Sequence, residues 1–270
     1  MASSNDADEG WFSGITDFAA GDYAWDSRRL LARDAPPQAE TTGHGGFAGL
    51  IVRHVYADHN SSRQVKRELD ALVDEFAAKD AGVGLNFGSG DTRPHDRFIN
   101  LDVQNVGSVD IVSDGTRIPL KDASVDLLIT QEVLEHIKDY RFAVSEIDRV
   151  VKPGGKLYCQ LPFQIGFHPG PYDFRRFSRQ GIVELFDTPR WNIEKVGLSV
   201  GHGTAVYRIL VEFVAVTFSV LSHRLYKPAK GLSAILFYPL KLFDAITDLS
   251  KERDRIPGGY FVIATRRADS

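Results

Sequence analysis

The chain has 270 residues, 43% hydrophobic and 25% charged, with 24 Gly and 12 Pro, a globular composition that excludes collagen-like, coiled-coil and wholly disordered readings. Its formal net charge of -4 offers no general attraction to a polyanion, so no nucleic-acid partner is expected. The single cysteine, Cys159, cannot close an intramolecular disulfide, and the acidic opening MASSNDADEG lacks the basic-then-apolar order of a secretory signal. No uncharged apolar run approaches the roughly 18–20 residues that span a bilayer. A cytoplasmic location is the expectation.

Residues 1–60 read as a polar, partly disordered arm, although Trp11, Phe12, Phe18, Tyr23 and Trp25 indicate that part of it docks. Ser61 and Ser62 are candidate N-caps for a helix in which Val65, Leu69, Leu72, Val73 and Phe76 recur at three- and four-residue spacing, ending near Gly82. Beyond Val83, short apolar runs at 83–88, 97–102, 109–114, 124–130 and 155–162 read as parallel strands. Before the last of these, Tyr140 to Val151 places Phe142, Ala143, Ile147 and Val150 on one helical face, with Pro153-Gly154-Gly155 as its stop. A helix at 178–186 and strands at 191–201 and 259–267 follow. Residues 61–200 with 259–270 thus predict one α/β domain with a mostly parallel, Rossmann-like sheet, and residues 201–258 an apolar helical insertion between the last two strands. In such a sheet the ligand crevice lies at the carboxyl ends of the strands.

The first strand ends in LNFGSGD, where Gly88 and Gly90 let the backbone approach a nucleotide-like ligand without intervening Cβ atoms. Asp102 closes the second strand, where a carboxylate can accept both hydroxyls of a ribose, and Asp114-Gly115 closes the third, where it can accept an adenine amino group. Three successive strand ends point at one nucleoside. Only 12 residues separate Gly90 from Asp102, against about 20 in the dinucleotide fingerprint, so the first crossover is a loop, Asp91 to Arg97, and NAD is disfavoured.

With its segments LNFGSGD, INLDV, SDGTRIPLKDASVDLLITQEVLEHI and RVVKPGGKLYCQLP in this order, the chain resembles the class I S-adenosylmethionine-dependent methyltransferases, of the small-molecule, type 11-like branch. The resemblance covers roughly residues 83–188, with 259–267 as the last strand. It implies a seven-stranded sheet with the last strand antiparallel and S-adenosyl-L-methionine as cofactor. It further implies cofactor contacts from Gly88, Ser89 and Gly90, ribose contacts from Asp102 with Val103 beside it, adenine contacts from Asp114 and Gly115, and a methionine-side wall from Gln131 and Glu132. Asn86 departs from the acidic residue many relatives carry near the methionine amino group, and Thr92 from a third glycine.

Gln164 to Ser178, QIGFHPGPYDFRRFS, follows the fifth strand and so borders the crevice. His168 is the candidate catalytic base, and Tyr172, Asp173 and Arg176 are candidate acceptor contacts; Asp173 paired with Arg175 or Arg176 as a loop fastener is the alternative. Glu135 and His136 of VLEHI invite an acid/base reading and equally suit loop anchoring. No run of His, Cys, Asp or Glu has metal-ligand spacing, so no metal is expected. Asp126 reads as a strand-entry residue and Cys159 as core.

In the insertion, 205–221 is apolar nearly all round, with Arg208 and Glu212 as a same-face pair, and 232–246 breaks near Pro239. These segments bury against the sheet, a homodimer mate, an apolar acceptor or a membrane surface, the last favoured by Arg224, Lys227, Lys230 and Lys241. The expected reaction is O-methylation of a small-molecule, sugar or lipid-linked acceptor by a cytoplasmic, peripherally membrane-associated enzyme. C- or N-methylation of a quinone-like or amine acceptor, and a non-catalytic cofactor-binding scaffold, stay open.

Overall fold

A computed structural model of the chain describes residues 62–168, 170 and 172–268. The N-terminal arm and Ser61 lie outside the described residues. Helix α1 (Arg63–Ala77) starts at Ser62, whose hydroxyl accepts from the Val65 amide at 3.1 Å, so the second of the two candidate caps serves. Strands β1 (Gly84–Phe87), β2 (Phe98–Asp102), β3 (Ile111–Val112), β4 (Val125–Gln131), β5 (Val151–Pro162), β6 (Trp191–Val200) and β7 (Gly259–Arg266) form one sheet in the order β3-β2-β1-β4-β5-β7-β6. β1 to β5 run parallel, and β7 runs antiparallel between β5 and β6. The expected architecture is present, with β7 the reversed strand.

The period-two alternation of the strands feeds two cores. Phe98, Leu127, Ile129, Tyr158, Phe261 and Ile263 face Val65, Leu72 and Phe76 of α1. Leu85, Phe87, Leu128, Leu157 and Cys159 face the other way, against Ala143, Ile147 and Val150 of α2 (Tyr140–Val150) and Ile182 and Phe186 of α3 (Arg179–Phe186). Central strands buried on both faces require near-continuous apolar runs, which is why the segments at 84–87 and 98–101 carry no exposed residue.

α2 and β5 meet without a loop. Residue 151 already pairs with Val125, and the ladder then shifts to Leu127↔Lys156, so Pro153-Gly154-Gly155 forms an irregularity inside β5 instead of a helix stop. Proline has no ladder donor and Gly154 sits at φ +78°, a pairing that suits a bulge. The crossover between β1 and β2 is a loop, as its length demands. Its anchors are polar: Asn86 and Asn100 both donate to the Thr92 carbonyl, at 2.9 and 3.0 Å, and Arg93 donates to Ser108 O and Asp110. The Asn86 amide therefore fastens the crossover where relatives carry an acid. Asp126 accepts from the Val83 amide and from Lys152, both within 2.8 Å, as a strand-entry residue should.

Between β6 and β7 lie α4 (His202–Ser219), a short 3-10 turn, α5 (Tyr226–Phe237), a second 3-10 stretch over 238–243 and α6 (Asp244–Thr247). The break at Pro239 is where the sequence puts it. α5, however, begins six residues earlier than the apolar pattern, at Tyr226, because Pro228 is tolerated in a first helical turn. Asp244 reaches back and accepts from the Gly203 and Thr204 amides, capping the start of α4. Among the described residues no helix is long and apolar enough to cross a membrane.

One ion pair secures the segment after β3. Glu146 accepts from the Ile118 amide at 2.7 Å and from Arg149, which also donates to the Ile118 and Leu120 carbonyls. Burial works against the Glu146 charge, but Arg149 and the amide outweigh it and hold its carboxyl below the usual range. Its contribution is full above the unfolded value of about 4.3 and fades as pH falls through the lower folded value. Glu146→Gln should therefore lower stability by about 1 kcal/mol at pH 7, and thermal unfolding should show that difference shrinking below pH 4.

Candidate active site

The carboxyl ends of β1 to β4 carry Gly88, Ser89, Gly90, Asp102, Asp114, Gln131 and Glu132, the loop after β5 carries His168, and hydrogen bonds tie the first three tips together. Gly88 and Ser89 donate their amides to the Leu101 carbonyl at 2.7 and 3.1 Å, and the Gly90 amide donates to Asp102 Oδ2 at 2.8 Å. Asp102 Oδ1 accepts from the Gln104 amide, and the Ser113 amide donates to the Asp102 carbonyl, tying the third tip to the second. Val103 stands exposed beside them. Asp114 accepts from the Thr116 amide and hydroxyl, an Asx turn that presents Gly115. A Cβ on Gly115 would strike the Phe87 ring at 2.3 Å, and one on Gly88 would strike Val133 Cγ2 at 2.0 Å, so the third tip packs against the end of β1 and the first against the turn after β4. Gly90 differs: at φ +51° it has open space where a Cβ would stand.

At the end of β4, Gln131 and Glu132 form the next wall. Glu132 holds φ +55°, an uncommon conformation for a residue with a Cβ. Its carboxylate lies 3.4 Å from Gln160 Nε2, and the Gln131 amide lies 3.4 Å from Gln160 Oε1. Burial, then the neighbouring Glu135, pushes the Glu132 carboxyl up, against the pull of Arg208 and His168. Arg208 comes from α4. Burial lowers its guanidinium, Glu132 being the main opposing attraction. The expected Arg208–Glu212 pair is not formed; Glu212 bonds Tyr226 at 2.7 Å and pairs with Lys230. Arg208 instead turns inward, and its Nη1 is buried with no hydrogen bond among the described residues.

The loop after β5 is held by its own charges. Asp173, 1% exposed, pairs through both oxygens with Arg176 and accepts from the His168 amide at 2.8 Å. Arg176 first, against burial, takes the Asp173 carboxyl down to about 2. Two of the three residues named as acceptor contacts, Asp173 and Arg176, thus take the alternative role of loop fasteners, with Arg176 also donating to Gly166 O. Tyr172 is half exposed, its ring 5.5 Å from that of Phe174 and its carbonyl bonded to His136 Nδ1. Arg175, the other candidate partner of Asp173, instead donates to the Ile137 and Lys138 carbonyls and locks the loop to the VLEHI turn.

His168 stands where that loop meets the turn. Its Nε2 lies 3.6 Å from Glu135 Oε1, and the His136 Nε2 lies 3.6 Å from the same oxygen. The two rings meet edge to face at 5.1 Å. Burial opposes the His168 charge, but Glu135, the Gly166 carbonyl and Asp173 outweigh it and raise the ring's pKa. The Glu135 carboxylate is 0% exposed and the Phe174 amide donates to its backbone carbonyl, so one residue anchors the loop and faces both imidazoles.

These residues suit an adenosylated sulfonium cofactor. Asp102 offers a carboxylate at the tip of β2, Gly90 leaves room for close backbone approach, and Gln131 and Glu132 place polar groups further along the same edge. Residues 92–159 match the methyltransferase domain family model. A Mycolicibacterium smegmatis protein named for S-adenosylmethionine-dependent methylation is 36% identical over 95 residues, 33% of this chain and 37% of that protein. A Caulobacter vibrioides ubiquinone/menaquinone biosynthesis C-methyltransferase is 28% identical over 104 residues, covering 38% of this chain and 36% of its own. Among solved structures, Haemonchus contortus phosphoethanolamine N-methyltransferase 2 with S-adenosyl-L-methionine superposes with a TM-score of 0.45 and 15% identity, over 82% of this chain and 57% of that one. The chain spans less than half the length of the curated relatives it matches. With the strand order beside the family-model and sequence matches, the chain carries a class I S-adenosylmethionine-dependent methyltransferase domain. The cofactor of that enzyme class is S-adenosylmethionine.

Proposed function

We infer that the chain transfers a methyl group to a hydroxyl oxygen of a small-molecule, sugar or lipid-linked acceptor. The observation that carries this reading is the convergence of Glu135, His136 and His168 beside the methionine-side wall, a set suited to withdrawing a hydroxyl proton. Bound at the strand tips, S-adenosylmethionine supplies an electrophilic methyl on a sulfonium, displaced in line to leave S-adenosylhomocysteine as the acceptor gives up its proton. Gly88, Ser89 and Gly90 shape the cofactor loop, Asp102 and Asp114 orient ribose and adenine, and Gln131 and Glu132 line the methionine side. In this reading His168, whose Nε2 lies 3.6 Å from Glu135 Oε1, takes the acceptor's proton. Asp173 and Arg176 set its position through the loop.

Phe213, Val220, Leu221, Leu232 and Leu236 leave apolar surface exposed on α4, the turn after it and α5, and Arg224 in that turn and Lys227 at the start of α5 stand exposed, which favours a lipid-linked acceptor at an anionic membrane surface. Sedimentation with anionic vesicles should lose the protein when both cations become Glu; equal binding removes that part of the reading. Carbon methylation, the activity of the Caulobacter relative, is the second reading. Calorimetric titration with S-adenosylmethionine followed by methyl-transfer assays over hydroxyl, quinone and amine acceptors tests the whole. No heat ends the enzyme reading. Binding without transfer to any acceptor favours a scaffold, and a C-methylated product replaces O-methylation.

A further inference from the structure

Glu135, His136 and His168 bring one carboxylate and two imidazoles together where the loop after β5 meets the turn after β4. His136 Nδ1 faces the Tyr172 carbonyl, and His168 Nδ1 lies 3.2 Å from the Gly166 carbonyl. A carbonyl only accepts, so each ring carries its proton on Nδ1 and turns a bare Nε2 lone pair away from it. Arg176 also comes within 3.3 Å of His168 Nδ1, but its donors are committed to Asp173 and Gly166. Both Nε2 atoms point at the fully buried Glu135 carboxylate. Neither Glu135 oxygen, nor His168 Nε2, has a hydrogen-bond partner among the described residues. Three electron-rich atoms brought together in a buried place repel unless something positive lies among them.

We propose that Glu135, His136 and His168 hold a divalent transition-metal ion, and that this ion binds the acceptor through the oxygen to be methylated. The ligand atoms all lie within 4.8 Å of one another. Ligands about 2.0–2.2 Å from one ion sit roughly 3–3.5 Å apart, so side-chain rotations of a few tenths of an ångström to about an ångström close the set. Two imidazoles and one carboxylate suit zinc, iron(II) or manganese(II), and leave positions open for substrate oxygens. The outward carbonyl bond on each Nδ1 is the orienting contact that metal-bound imidazoles need. A proton on His168 Nε2 would relieve its contact with Glu135 but would leave His136 Nε2 facing the same carboxylate.

This assignment rests on the hydroxyl reading above and narrows it. A hydroxyl bound to such an ion is acidified, His168 becomes a ligand, and the departing proton passes to the Glu132 carboxylate. The acceptor class is then one that presents two neighbouring oxygens, such as a vicinal diol or a hydroxy-carbonyl unit, able to chelate the ion.

The full-length protein, stripped with EDTA, is titrated separately with manganese(II), followed by electron paramagnetic resonance, and with zinc(II), followed by calorimetry. One ion per chain is expected for at least one metal. Glu135→Gln, His136→Gln and His168→Gln should each weaken it tenfold or more. S-adenosylmethionine affinity, measured on the same samples, should change far less and reports that each variant is folded. Should a variant unfold, nitrogen couplings from two imidazoles to bound manganese in the wild type decide the matter alone. No stoichiometric ion, no imidazole coupling, or unchanged affinity in folded variants overturns the proposal. S-adenosylmethionine binding with no metal leaves the methyltransferase reading standing, whereas metal binding with no S-adenosylmethionine binding leaves the site and removes that reading.

Discussion

Asp102→Ala is expected to weaken S-adenosylmethionine binding about 100-fold while leaving the domain folded. A carboxylate accepting two ribose hydroxyls contributes on the order of 3 kcal/mol, since hydrogen bonds to charged groups are worth about 1.5–3 kcal/mol each. Among the described residues the Asp102 side chain bonds only the Gly90 and Gln104 amides, at a partly open strand tip, so its loss costs little packing. Calorimetry gives the affinity and thermal unfolding the stability. An unchanged dissociation constant would place the ribose elsewhere and undo the reading of the tips.

Gly88→Ala and Gly90→Ala should separate packing from binding within one loop. Both glycines hold positive φ, which costs a residue with a Cβ roughly 1–2 kcal/mol. At Gly88 the new methyl also meets Val133 Cγ2 at 2.0 Å, and Val133 is short and wedged at the turn, so overpacking adds roughly 1–3 kcal/mol. A total loss of about 3 kcal/mol is expected in denaturant unfolding. At Gly90 no atom lies within 4 Å of the new methyl, so stability should fall by only about 1 kcal/mol. Its methyl would stand in the space the cofactor needs, and S-adenosylmethionine affinity should drop at least tenfold. If Gly90→Ala binds as the wild type does, the cofactor does not approach that loop.

The strand tips were legible in the sequence because the chemistry there punctuates apolar runs. Gly88, Gly90, Asp102, Asp114 and Gly115 each follow a short buried strand, and chain order alone places them at one sheet edge. What stayed hidden depended on partners distant in sequence. Arg208 and Glu212 have the spacing of a helical pair, yet Glu212 finds Lys230 on the next helix and Arg208 faces Glu132. Nothing local distinguishes those outcomes. Asp173 and Arg176 look like ligand-binding polar residues, but a proline-rich loop with few backbone bonds uses its side chains to hold its shape. Glu135 and His136 stand out in VLEHI. That they share a point with His168 follows only once β4 and β5 lie side by side. Pro153-Gly154-Gly155 reads as a helix stop because helix endings and strand bulges favour the same residues.

The antiparallel β7 sits between β5 and β6, so the helices from α4 to α6 leave and re-enter the sheet through two adjacent, hydrogen-bonded strands, Val200 beside Gly259. The whole roof hangs from one narrow doorway. Residues 202–257 can therefore be exchanged for another segment without cutting any strand whose end carries Asp102, Asp114 or Glu132.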